Sequence, residues 1–161
     1  MADGPESPEA PRTPTTEDLR RIARSLTEHQ VRYAVVGGFA MAYHGLARPT
    51  EDIDLLIDPD PANVGRVRQA LCVLADRASL DLEAGDVATY TVVRVADEVV
   101  VDLMASACGV SLADVADEIE TGEIAGEPVR FLSAAALLRT KQTIRPKDVP
   151  DRLYLERLLA G

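Results

Sequence analysis

The feature that most constrains this chain is the run Asp52-Ile53-Asp54-Leu55-Leu56-Ile57. Apolar, short and closed by Asp58-Pro59, it reads as a strand. On a strand, residues two apart project to the same side, so Asp52 and Asp54 share a face while Ile53 enters the core. Two carboxylates that close repel, and each raises the pKa of the other unless a cation sits between them. A hard divalent cation takes a few carboxylates together with water and phosphate oxygens. A solvated strand end carrying two charges fits the same triplet, so the surrounding chain has to decide.

Upstream, residues 31–36 (VRYAVV) form a second β-rich run that ends in Gly37-Gly38. Helical spacing then returns with Phe39, Ala42, Tyr43 and Leu46, and Gly45 supplies a breaker. A strand that opens a helix through two glycines leaves bare backbone N–H groups where the helix dipole favours anions, phosphate included; a tight structural turn uses the same residues. No Gly-Lys-Ser/Thr follows, so this is not a P-loop, and the third glycine of a dinucleotide fingerprint is absent. Downstream, residues 89–95 (TYTVVRV) and 99–104 (VVVDLM) flank Ala96-Asp97-Glu98 and read as a hairpin. The second arm is apolar except for Asp102, which must be hydrogen-bonded, metal-bound or at an exposed edge. If that arm lies beside the Asp52/Asp54 strand, three carboxylates converge.

Leu19, Ile22, Ala23 and Leu26 mark an amphipathic helix with Thr15 or Thr16 as N-cap, ending near His29. Asp60-Pro61 opens another, running to about Ala78 on the face of Val64, Val67, Leu71, Leu74 and Ala75. Residues 111–119 read as a short helix, Val129 to Leu132 as a short strand, Ser133 as the cap of a helix through about Lys141, and about Pro150 to Leu159 as a last helix, or one that Asp148 caps with Pro150 in its first turn. The sum is an α/β (α+β) domain with a small mixed sheet flanked by helices. Residues 1–14, with four prolines, three acids and almost no apolar side chains, read as a disordered acidic tail, and 15–161 as one domain with C-terminal helices.

The chain holds 17 Lys and Arg against 27 Asp and Glu, a net charge of −10. Nucleic-acid affinity comes largely from Lys and Arg that displace counterions, so extended DNA binding is not expected. With two Phe, four Tyr and no Trp, a base-stacking platform has few rings to use. Cys72 and Cys108 are too few for a zinc cluster or a disulfide framework and suit a reducing cytoplasm. No run approaches a membrane span, and no N-terminal apolar leader is visible. Positive charge gathers late: residues 138–161 carry six Lys and Arg against three Asp and Glu.

In this order, Gly37-Gly38, a short helix, Arg48-Pro49-Thr50-Glu51-Asp52-Ile53-Asp54-Leu55 and a later strand with Asp102 resemble the DNA polymerase β-like nucleotidyltransferase superfamily. Tyr33 to Ile57 and Ser133 to Leu159 resemble its small bacterial members, the AbiEii-type toxins and related minimal nucleotidyltransferases. The resemblance implies that Gly37 and Gly38 touch a nucleoside triphosphate, that Asp52 and Asp54 bind Mg²⁺ or Mn²⁺, and that Asp102 ligates metal and helps deprotonate an attacking hydroxyl. Lys141 to Asp148 is similar to the Lys…Arg-x-Lys-Asp signature of these members, with Lys141 as the candidate cation for the nucleotide. Alternatively, Arg145 and Lys147 pair with Asp148 and Asp151 and fix the last helices.

The expected function is Mg²⁺-dependent transfer of a nucleoside monophosphate from an NTP to a hydroxyl of a protein, a tRNA or a small molecule. The competing expectation is a non-catalytic nucleotide- or partner-binding protein, such as a toxin–antitoxin component. Either reading admits a partner protein or a homodimer.

Overall fold

The computed structural model describes residues 10–161. In chain order the elements are α1 (Thr16–Glu28), β1 (Tyr33–Val36), α2 (Gly37–Tyr43), β2 (Asp52–Ile57), α3 (Pro61–Ala70), α4 (Asp86–Thr89), β3 (Val93–Ala96) and β4 (Val100–Met104). The short hairpin β5 (Ser106–Ala107) and β6 (Val110–Ser111) follows, then β7 (Ile119–Ile124), β8 (Glu127–Leu132), α5 (Ala134–Arg139) and α6 (Asp148–Ala160).

Strands β3, β4, β2, β1, β8 and β7, in that order, form a six-stranded mixed sheet. Its parallel pairs are β2 with β4 and β1 with β8; the other neighbours run antiparallel. β1 lies inside the sheet and is buried along its whole length, which is why it reads as an unbroken apolar run. β2 is the informative exception: Ile53, Leu55, Leu56 and Ile57 are fully buried, while Asp52 and Asp54 keep partial access to water. A large apolar side chain buried to that degree contributes roughly 1.5–3 kcal/mol, so the register of β2 is set by its isoleucines and leucines. The aspartates are carried to their face as a result.

α1 begins with a capping box in which Thr15 and Asp18 bond each other's backbone, and it buries Leu19, Ile22, Ala23 and Leu26. The expected tail lies outside the described residues over 1–9; at its end, Arg12 is tied down. The Arg12 backbone N–H donates to the Glu98 carbonyl, and its guanidinium grips Asp18 through two bonds of 2.7 Å. That guanidinium, outweighing burial and aided by Thr15, holds the Asp18 carboxyl far below its ordinary range.

Three elements differ from the sequence expectation. α3 ends at Ala70, not near Ala78: the chain passes into a 3-10 turn at Leu71–Val73 that still buries Leu71 and Leu74. The buried Asp97 carboxylate, accepting from the Asp76 and Ala78 N–H groups at 2.9 and 2.8 Å, then draws the backbone toward the β3–β4 turn. Residues 89–92 are not strand, because α4 occupies Asp86–Thr89 and β3 starts at Val93. The short strand expected at Val129–Leu132 is one arm of a full hairpin, β7 with β8, turning at Ala125 and Gly126. Both turn residues have positive φ, +50° and +84°.

Candidate active site

The sheet decides where the carboxylates fall. β4 lies parallel to β2 with Asp102 directly beside Asp54, so Asp52, Asp54 and Asp102 emerge on one face of two neighbouring strands. One oxygen from each lies within 4.8 Å of the others. Two oxygens on opposite sides of a Mg²⁺ are about 4.2 Å apart, so small side-chain movements would let the three share an ion. Asp102 is buried and the other two are partly exposed, which leaves room for water or phosphate to complete a coordination shell.

The electrostatics agree with an acidic centre that wants a cation. Burial, followed by repulsion from Asp52 and Asp102, pushes the Asp54 carboxyl up to about 7, against the pull of Lys141 and Lys147. Burial and the Asp102 charge also raise Asp52, with Arg94 and Lys147 opposing.

Gly37 and Gly38 sit at the end of β1, where Val36 pairs with Asp54. At Gly37 φ is +68°, and a Cβ built there would lie 2.0 Å from Asp54 Oδ2. A Cβ on Gly38 would lie 2.6 Å from Thr50 Oγ1, which donates to the Asp52 carbonyl. The double glycine is therefore the space that lets the β1–α2 turn pass against the acidic face. A cleft of about 890 Å³ opens here, walled by the three aspartates and both glycines together with Arg48, Arg94, Lys141 and Lys147. A second hollow of about 530 Å³ lies around α3 and Leu80–Ala84 and holds none of these residues.

Residues 17–157 match the family described as nucleotidyl transferase AbiEii toxin of type IV toxin–antitoxin systems. The chain belongs to the AbiEii nucleotidyltransferase family. The crystal structure of a protein from Thermotoga maritima, described as a candidate nucleotidyltransferase, superposes with a TM-score of 0.56 at 16% identity, over 90% of this chain and 92% of that one. At that identity the likeness concerns the fold alone. No curated protein matches the chain.

In this AbiEii-family chain, Lys141 stands in the cleft wall but is 95% buried, with its ammonium 3.1 Å from Asp151 Oδ2 and 3.6 Å from Asp148 Oδ1. Arg48 clasps Asp151 through two bonds of 3.1 and 2.8 Å. Burial would raise the Asp148 carboxyl, but hydrogen bonds from Thr143 and Arg145 and the Lys141 charge hold it below its ordinary value. Of the pairs anticipated for the last helices, Arg145 with Asp148 is present. Asp151 is instead taken by Arg48 and Lys141, and Lys147 forms no ion pair among the described residues.

Arg94 is the site residue that the sequence reading passed over. It stands opposite Asp102 in the β3–β4 hairpin. Its Nε and Nη2 lie 2.9 and 3.0 Å from the two Asp102 oxygens, and Nη2 reaches Asp52 at 3.3 Å. The signal was available: once the turn at Asp97 is accepted, pairing Ala96 with Val100 places Arg94 on Asp102.

Proposed function

We propose that this chain transfers a nucleoside monophosphate from an NTP to a hydroxyl acceptor, releasing pyrophosphate, with Asp52, Asp54 and Asp102 as the catalytic carboxylates. The observation that carries the reading is the convergence of these three in a cleft that the Gly37-Gly38 turn, packed against Asp54, also walls. The carboxylates suit Mg²⁺, with Mn²⁺ as a substitute: they are oxygen donors, closely spaced, and destabilised by one another's charge. A bound divalent ion would offset phosphate charge and lower the pKa of a coordinated hydroxyl.

The protein's own part is positioning. Gly37 and Gly38 let the triphosphate approach the backbone without a Cβ in the way, and their N–H groups supply donors. Asp102, backed by the hydrophobic β4 strand, accepts the proton of the attacking hydroxyl as the oxygen closes on the α-phosphorus. Lys141, clamped between Asp148 and Asp151, adds fixed positive charge behind the phosphates, and Lys147, without an ion pair among the described residues, meets them directly. Residues 15–161 form the catalytic unit, and the family description favours an antitoxin as partner. The acceptor is a hydroxyl on a protein, a tRNA or a small molecule. The free thiols Cys72 and Cys108 fit a reducing cytoplasm.

The test is incubation of the chain with each α-labelled NTP and cell lysate, beside Asp54→Asn. Label should pass to an acceptor with the wild type and fall by at least about a thousandfold in the variant, a loss of the order seen when a group essential to transition-state stabilisation is removed. Equal labelling by both would refute the assignment.

A further inference from the structure

Among the described residues, Arg94 is the only cation ion-paired with the acidic triad. Its fork covers both oxygens of Asp102 and one of Asp52, the same atoms a metal would need. Two features separate it from Lys141. Lys141 is buried between two aspartates that hold it in place, whereas the Arg94 side chain is 61% exposed and its ion pairs are with the triad alone. Arg94 also stands on β3, an edge strand of the sheet, with the open cleft beside it. A guanidinium so placed can leave the carboxylates without unpacking the core. A triphosphate in the same cleft would offer it oxygens in the bidentate geometry it already uses on Asp102.

We propose that Arg94 is a displaceable counter-cation that couples metal binding to nucleotide binding. It holds Asp52 and Asp102 together when the cleft is empty, opposes a bare divalent ion, and moves onto the phosphates when ion and nucleotide arrive together. The ion alone must displace the guanidinium without offering it a new partner; the ion with nucleotide replaces one anionic partner by another. Coupling of this kind is reciprocal, so the nucleotide also binds better when the ion is present. The inference rests on the triad as the metal site.

The experiment measures Mn²⁺ binding to the full chain from the free-Mn²⁺ paramagnetic signal, and binding of a non-hydrolysable NTP analogue at saturating Mn²⁺, for wild type, Arg94→Ala, Arg94→Lys and Asp54→Asn. Arg94→Ala should bind Mn²⁺ alone about fivefold to tenfold more tightly than wild type, the size expected from losing a partly exposed charge-assisted pair. The same variant should bind the analogue about tenfold more weakly, so the two affinities move in opposite directions. Lysine keeps the charge but not the fork, so Arg94→Lys should lie between; if Arg94→Ala does not fold, Arg94→Lys carries the test with the same signs. Mn²⁺ affinity unchanged or weakened in the arginine variants, or analogue affinity unchanged, overturns the proposal. If wild type and Arg94→Ala are equal and both exceed Asp54→Asn, only the role of Arg94 fails. If all bind Mn²⁺ as poorly as Asp54→Asn, the triad reading fails with it.

Discussion

At Gly37 the chain leaves no room for a Cβ. With φ at +68° and Asp54 Oδ2 only 2.0 Å from the position of a Cβ, alanine there is strained in its backbone and collides with a carboxylate. We expect Gly37→Ala to cost about 1–3 kcal/mol in denaturant unfolding and to abolish most nucleotidyl transfer. Gly65 in α3 is the control: nothing lies within 4 Å of its Cβ position, so Gly65→Ala should be neutral or stabilise by about 0.5–1 kcal/mol. The glycine pair was conspicuous in the sequence, but its collision partner belongs to another strand and appears only once β1 and β2 are paired.

Asp54 carries a pH signature. Its carboxyl titrates at about 7 in the folded chain and near 4 once unfolded. Between those values the unfolded state binds fewer protons than the folded one, so this group makes stability fall as pH rises from about 4 to about 7. Asp18 acts with the opposite sign: its folded pKa is depressed, so its contribution is present above about pH 4 and is lost as pH drops further. In chelator, the melting temperature of Asp54→Asn should therefore gain on wild type from pH 5 to pH 7.5. A constant difference across that range would contradict the assignment of the raised carboxyl to Asp54.

At the scale of elements, Asp151 joins pieces far apart in the chain. It lies in the first turns of α6, is fully buried, and receives both Arg48 from the loop before β2 and Lys141 from just beyond α5. Removing it leaves Arg48 without its anionic partner and Lys141 with Asp148 alone. Breaking a buried pair in this way costs about 3–5 kcal/mol, and Asp151→Ala should fall near the lower end because Arg48 keeps some contact with water. Urea unfolding reads the loss directly. Nucleotide affinity should weaken too, because Arg48 and Lys141 both wall the cleft.

Elements with strong local signals were readable from the sequence. Thr15 and Asp18 announced α1, the Asp-Ile-Asp alternation gave β2 to the residue, and Ser133 capped α5. β7 was not readable, because Ile119–Ile124 contains two glutamates and a glycine and borrows its order from β8. The turn that joins them places Ala125, not Asn or Asp, at a positive φ, so the usual hairpin cue is missing. The end of α3 was hidden for a different reason: Leu71 and Leu74 keep helical spacing through a 3-10 turn, and the chain beyond it is held at Asp76 and Ala78 by the carboxylate of Asp97, distant in sequence.

Over the whole molecule, the charge of −10 conceals a local reversal. Two of the three acids in residues 138–161, Asp148 and Asp151, are spent inside the protein on Lys141, Arg48 and Arg145. Lys147, Arg48 and Arg145 line one cleft of about 890 Å³, a localised set of cations and not an extended basic track along which a nucleic-acid backbone could run. An anisotropy titration with a random duplex at physiological salt should show no binding into the range of about 10⁻⁴ M, where non-specific DNA affinity ends. Among the described residues no helix is long and apolar enough to cross a membrane.

The central claim is that Asp52, Asp54 and Asp102 transfer the nucleotidyl group and not the terminal phosphate. The most direct measurement runs the same NTP in parallel with label at the α- and at the γ-phosphate, in the presence of Mg²⁺ and acceptor. Our account predicts α-label on the acceptor and γ-label in pyrophosphate, both lost with Asp52→Asn. Transfer of γ-label to the acceptor, or its release as orthophosphate without α-transfer, would contradict it.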